Sequence, residues 1–373
     1  MLQRHEQRSQ LQLRATLLVT LSALITLWGL LAIYRTLALS GGWESFLARQ
    51  SLWALAAWTS FFIVSRIRFE KLMQFALILA GIGALALLLL PLAGVRINGM
   101  NGWYHFKFIT VQPSELTKAF YILGLIKILH LKNLPQLARF GAALAVIMAF
   151  AVLLIIQPDL GTAAIYLAGG FGALYFGRVK LKYLLLTAAA ALFSATAAIA
   201  VHPYMINRLK HFLMPTLSPT GGGWHLRQFA IAVARGEWFG VKGDMAVWSN
   251  SFLPLAHNDS VFAAQCEILG FCGGFILLML FAGFFHQAFT LGAWRRNHLR
   301  RSVIDAMTFM IFAQTMLHIG VNLNLLPPTG VTLPLISYGG SSLVGTMLML
   351  GIIISAARKD NPPPAAPDNS KDS

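Results

Sequence analysis

Leu72–Gly94 reads LMQFALILAGIGALALLLLPLAG, an apolar run without a single charged side chain. A helix rises about 1.5 Å per residue, so a run of this length crosses the roughly 30 Å of hydrocarbon in a bilayer. Comparable runs recur on both sides of it, from Leu17 to Ser355, separated by short basic or Gly/Pro-rich breaks. Spans are expected at 15–38, 47–65, 72–94, 113–130, 139–156, 160–177, 183–201, 260–285, 302–326 and 331–357. The expected fold is an all-α membrane protein of about ten transmembrane helices, with a large exofacial loop, 202–259, between spans seven and eight. The polytopic domain would run over 15–357, between a cytoplasmic N-terminal tail (1–14) and a disordered, Pro-rich cytoplasmic tail (358–373).

Composition agrees. Hydrophobic residues make up 57% of the chain and charged residues 11%, whereas soluble surfaces carry about 25–35% charge. The formal charge of +16 does not signal nucleic acid, because the Lys and Arg residues sit in small clusters at span ends, where anionic lipid and membrane orientation account for them. Cys266 and Cys272 lie in one apolar run and suggest neither a disulfide framework nor a metal site. The N-terminal basic residues precede an apolar stretch too long for a typical secretory signal, so the first span is read as retained.

The basic groups Arg66, Arg68 and Lys71, then Lys127, Lys132 and Arg139, then Arg178, Lys180 and Lys182, then Arg295, Arg296, Arg300 and Arg301, and finally Arg358 and Lys359 all fall on the N-terminal side of the membrane. By the positive-inside rule that side is the cytoplasm, which puts both termini inside. The acids behave differently. Glu115, Asp159, Glu237, Asp244, Asp259 and Glu267 all lie in or next to the opposite face, and an acidic cluster at the outer leaflet of an acid-poor chain reads as functional.

Each acid also has a plainer reading. Glu115 and Lys118 follow Pro113 at a helix start and share one face, which suits either a cap with an ion pair or a polar cavity. Asp159 precedes Leu160-Gly161-Thr162 as a helix N-cap would. His257 and Asp259 stand two apart at a water–membrane boundary, just before a span whose early turns carry Gln265 and Glu267; an Asp at a helix start is often a cap, while partial burial there can lift a carboxylate toward the range of a general base. Gln314, His318 and Asn322, spaced by four, draw a polar stripe that either bonds helices together or lines a path. Consecutive Pro and Gly after Leu326 imply irregular backbone, tolerated at membrane depth only against protein or a wet cavity.

Together these segments resemble the SEDS family (shape, elongation, division and sporulation; the FtsW/RodA/SpoVE group). The resemblance is carried by Leu333-Pro334-Leu335-Ile336-Ser337-Tyr338-Gly339-Gly340-Ser341-Ser342, by Gln112-Pro113-Ser114-Glu115 with Lys118, by Pro158-Asp159 with Gly161-Thr162, by Arg208, by Arg235-Gly236-Glu237-Trp238-Phe239-Gly240, and by Leu253-Pro254 with Ala256-His257 and Asp259. It implies a peptidoglycan glycosyltransferase of the bacterial inner membrane that polymerises lipid II, the undecaprenyl pyrophosphate-linked disaccharide peptide, in cell division or elongation. The implied partners are a class B penicillin-binding transpeptidase and other elongation or division machinery. Asp259 would be the catalytic base; Glu115, Lys118, Asp159, Arg208, His257, Glu267, Ser337 and Ser341 would bind substrate or line the cavity. Lys118 or Arg208 would steady the leaving pyrophosphate; no cofactor is required, although a divalent cation would suit that charge. The chain departs from the family pattern at Leu255, Asn258, Ser260 and Ile268, around the proposed base. A lipid II flippase and a non-catalytic scaffold of a transpeptidase complex are the competing expectations.

Overall fold

The computed structural model describes residues 2–37, 43–97, 99–107, 109–201, 206, 210, 212–214, 222–241 and 246–358. Arg208, Asp244 and the tail from Lys359 onward lie outside the described residues. A helix occupies each expected span: α1 (Leu2–Leu37), α2 (Trp43–Arg66), α3 (Phe69–Leu88) with the short α4 (Leu90–Ala93), α5 (Pro113–Leu129), α6 (Gln136–Ile156), α7 (Leu160–Phe176) and α8 (Leu181–Val201). After α9 (Gly222–Arg235) in the large loop come α10 (Val261–Ala293), α11 (His298–Asn322) and α12 (Gly340–Ala357). Six of these are long and apolar enough to cross a membrane by length and composition, and two shorter apolar helices fall in α7 and α8.

Two of the boundaries that differ from expectation have a clear local cause. Helix α1 continues back through the expected tail to Leu2, where LQRHEQRSQLQLR offers neither Gly nor Pro to stop it. The tenth span begins late, at Gly340, because its Pro- and Gly-rich first third stays irregular. The loop before α5 folds into a three-stranded antiparallel sheet, β1 (Val95–Ile97), β2 (Met100–Phe106) and β3 (Ile109–Val111), in that spatial order.

The core is organised around α12. In its most apolar stretch 83% of residues are buried, against 33% in α3 and α6, so α12 is central and the other two face lipid. It packs on α2, α5 and α11; α10 packs on α1, and α7 on α11. In lipid, close helix approach depends on small residues, since apolar burial gives no preference for protein over acyl chains. Within α12, Gly345 marks such an approach to backbone: a Cβ there would stand 2.2 Å from the Glu115 carbonyl oxygen on α5. Gly345→Ala is therefore expected to force α5 and α12 apart at a cost of about 1–3 kcal/mol. A lower thermal midpoint in detergent checks this; an unchanged midpoint would show that the contact is not tight. Hydroxyl groups within helices bond to the preceding turn, as Ser22 does to the Leu18 carbonyl (2.7 Å) and Thr26 to that of Ser22 (2.8 Å), so these hydroxyls are satisfied inside the hydrocarbon.

Helix α10 breaks at Gly270, whose φ of 70° and ψ of −170° leave the helical region. The turn after α9 fills the break: Phe271 N donates to the Glu237 carbonyl (2.8 Å), Cys272 N to that of Trp238 (3.0 Å), and Val241 N to that of Glu267 (3.0 Å). These bonds meet the backbone groups freed by the break, which the bilayer requires. They also explain Gly236, where a Cβ would lie 1.8 Å from the Cys266 carbonyl oxygen.

Candidate active site

A cavity of about 1070 Å³ opens where the ends of α2, α5, α7 and α12 meet the sheet and the chain before α10. It brings together three of the acids singled out in the sequence, Glu115, Asp159 and Asp259, with Ser341. Among the described residues its cations are Arg49 and Arg96, and Trp53, Trp103 and Tyr338 supply aromatic surface.

Asp259 is carried on a short segment, 253–259, held from two sides. Asn322 at the end of α11 donates Nδ2 to the Asp259 carbonyl (3.0 Å), while its Oδ1 accepts from Ala263 N (3.0 Å) in the first turn of α10. The irregular stretch before α12 grips the other side: Tyr338 N donates to the His257 carbonyl (2.8 Å) and Ser337 Oγ to the Asn258 carbonyl (2.7 Å). Gly330, at φ +68°, takes a left-handed conformation beside the Asp259 carboxylate, where a Cβ would lie 3.4 Å from Oδ2. The polar stripe of α11 fixes this stretch in place. Gln314 Nε2 donates to the Thr332 carbonyl (3.0 Å), and His318 Nδ1 lies 2.7 Å from the Val331 carbonyl oxygen. The stripe thus bonds chain to chain.

Asp159 caps α7, its Oδ1 accepting from Thr162 N (3.1 Å) and its Oδ2 from Gln112 Nε2 (3.2 Å). Burial pushes its carboxyl above the ordinary range, and the nearby Glu115 charge adds to this, while the bonds from Thr162 and the Lys118 charge pull it down. Gln112 N in turn donates to Ser341 Oγ (2.9 Å). Glu115 borders the cavity and accepts from Lys118 Nζ at 2.6 Å. Lys118 itself is buried behind it and also donates to Gln314 Oε1 (2.8 Å), so its ammonium faces protein.

Three other expected residues stand outside the cavity lining. The His257 ring packs against Phe46 and Tyr338, at 5.1 and 5.5 Å between centroids, and burial lowers its pKa, which keeps it neutral. Ser337 braces the backbone, accepting from Leu333 N (2.8 Å) besides its bond to Asn258. Glu267 is fully buried; it accepts from Arg235 Nε (3.1 Å), Trp248 N (3.2 Å), Ser249 N (2.6 Å) and the Ser249 hydroxyl, fastening the returning loop onto α10.

The sequence reading missed Arg49, Arg96, Trp53 and Gln50. Arg49 lies inside the expected second span, and a charge within a span is itself a functional flag. One turn on, the Trp53 ring lies so close under Gly340 that a Cβ there would meet it at 2.0 Å. Gln50 donates to the Ser337 carbonyl and accepts from Gly339 N, both at 3.3 Å. Among the described residues no set of three His, Cys, Asp or Glu gathers to hold a metal; a divalent ion in the cavity would draw further ligands from substrate phosphates.

Residues 10–361 match the cell cycle protein family FtsW/RodA/SpoVE. A relative from Nitrosococcus halophilus, named "Probable peptidoglycan glycosyltransferase FtsW", is 34% identical over 83% of this chain and 82% of its own. Among solved structures, a chain from "Structural coordination of polymerization and crosslinking by a peptidoglycan synthase complex" superposes with a TM-score of 0.77 at 28% identity, covering 91% of this chain and 96% of that one. An Asp-to-Ala mutant of the rod shape determining protein RodA of Thermus thermophilus gives 0.70 at 25% identity, covering 91% and 96%. The match over nearly the whole membrane region, and the helices found at every expected span, place this multi-span chain in the FtsW/RodA/SpoVE family of cell cycle proteins.

Proposed function

We propose that this chain is a peptidoglycan glycosyltransferase that joins the disaccharide units of lipid II into glycan strands on the outer face of the bacterial inner membrane. The observation that carries the reading is the cavity in which Asp259 faces the same space as Arg49 and Arg96. Family membership and the named activity of the relatives support the reaction class.

Strand growth needs the acceptor sugar hydroxyl to attack the donor's anomeric carbon. Asp259 takes the hydroxyl proton as the new C–O bond forms, since a neutral hydroxyl is a weak nucleophile. The bond from the anomeric carbon to the phosphate oxygen breaks, and the pyrophosphate leaves with the electron pair on its lipid. Arg49 and Arg96 border the cavity and are the cations available to that developing charge. Lys118, bound to Glu115 and Gln314, instead holds the Glu115 carboxylate in place.

The basic groups at one set of span ends orient that face to the cytoplasm and the cavity outward. There both lipid tails stay in the outer leaflet while the sugars meet at the surface. The large loop 202–259 shares this face, and the class B transpeptidase that the family resemblance implies would work from the same side; the neighbour's description, which joins polymerization with crosslinking in one complex, supports such a partner.

Purified protein mixed with labelled lipid II in detergent, with and without its transpeptidase, tests the reading. Polymer is the expected product, because detergent removes the leaflets across which a flippase could act. Lipid II left as monomer in both conditions would sink the polymerase reading and favour flippase or scaffold.

A further inference from the structure

Two polar atoms beside the proposed base have no bond to make. Among the described residues, Asn258 Oδ1 and Thr329 Oγ1 are buried without a hydrogen-bond partner. Both residues are half-buried and both border the cavity. Asn258 directly precedes Asp259, and Thr329 precedes Gly330, the residue lying against the Asp259 carboxylate. On its other side Thr329 abuts the start of α7: its carbonyl oxygen and Cβ would lie 2.7 and 3.2 Å from a Cβ on Gly161. The two orphaned groups therefore belong to residues placed around Asp259: one precedes it in the chain, and the other precedes the glycine that lies against its carboxylate.

An unpaired buried oxygen costs folding free energy, and most such groups in native proteins find partners. Two of them on residues around one carboxylate at a cavity wall is the pattern expected where a ligand completes the bonding. Because both residues border the cavity, a change of rotamer on binding would bring each oxygen to a bound molecule. An amide oxygen accepts, and a hydroxyl accepts or donates. The ligand must therefore offer N–H and O–H donors close to the group that Asp259 deprotonates.

We propose that Asn258 and Thr329 form the acceptor-sugar subsite, binding hydroxyl and acetamido groups of an N-acetylated amino sugar whose neighbouring hydroxyl is the attacking group. This rests on the polymerase reading. It places recognition of the acceptor on two side chains that the fold itself does not use for bonding. Their removal consequently moves binding and stability in opposite directions, which a packing role would not do.

Thr329→Val and Asn258→Leu keep shape and remove the polar atoms. The assay holds in excess a lipid II capped at its attacking hydroxyl, which can only donate, and varies uncapped lipid II as acceptor. Each variant is expected to raise the acceptor KM about fivefold or more, the worth of one hydrogen bond. The expected kcat stays within about twofold of wild type, and the thermal midpoint is equal or higher. Unchanged acceptor KM in both variants, or a lowered midpoint with kcat and KM falling together, overturns the subsite. The underlying reading fails separately: wild type would then make no polymer, or Asp259→Ala would polymerise at the wild-type rate.

Discussion

Asp259→Asn is expected to reduce glycan-strand formation by about 10²–10⁴-fold while leaving the protein folded, because general-base assistance has about that worth and Asn cannot accept the proton at neutral pH. The fold should tolerate the change. The segment bearing Asp259 is held through its backbone, by Asn322 on the Asp259 carbonyl and by Tyr338 and Ser337 on the carbonyls of the two preceding residues. These backbone bonds persist when the side chain changes. The variant should elute as a monodisperse species, melt near the wild-type temperature and bind lipid II with similar affinity. Asp159→Asn is the informative control, for it lines the same cavity but also caps α7. An Asn at that position still accepts from Thr162 N, so its effect on turnover should be far smaller. If Asp259→Asn kept activity within tenfold of wild type, proton abstraction would have to be assigned to another group.

How far the sequence led depended on whether the signal was local. Span number and order follow from apolar runs, and helices occupy all ten. The acids of the outer face were legible because the chain carries only 13 acids in all, and Glu115, Asp159 and Asp259 do share one cavity. Spacing could not say which way each side chain turns once packed. Lys118 and Glu267 look alike in sequence, as charges near span ends, yet both are consumed by internal bonds. The sheet before α5 went unread although Asn98-Gly99, a strong hairpin turn dipeptide, stands between its first two strands. Arg96 and Trp103 reach the cavity only through that sheet. The meeting of Asn322 with Asp259 joins residues 63 apart, a contact no local pattern encodes.

Lys118→Met is expected to be among the most destabilising single changes in the chain. The Lys118 ammonium and Glu115 carboxylate are both buried and 2.6 Å apart. Removing one partner leaves the other charge without its counterion, which costs about 3–5 kcal/mol, whereas an apolar or neutral pair of the same shape is tolerated. The thermal midpoint in detergent should fall by on the order of 5–10 °C, and Glu115→Gln placed in the same chain should recover most of that loss. The double variant then separates the two readings that the sequence left open for this pair. If strand formation returns with stability, the pair serves to set α5 against α11 through Gln314. If stability returns and strand formation does not, the Glu115 charge acts on the substrate in the cavity that it borders, and Lys118 acts by holding that side chain in place.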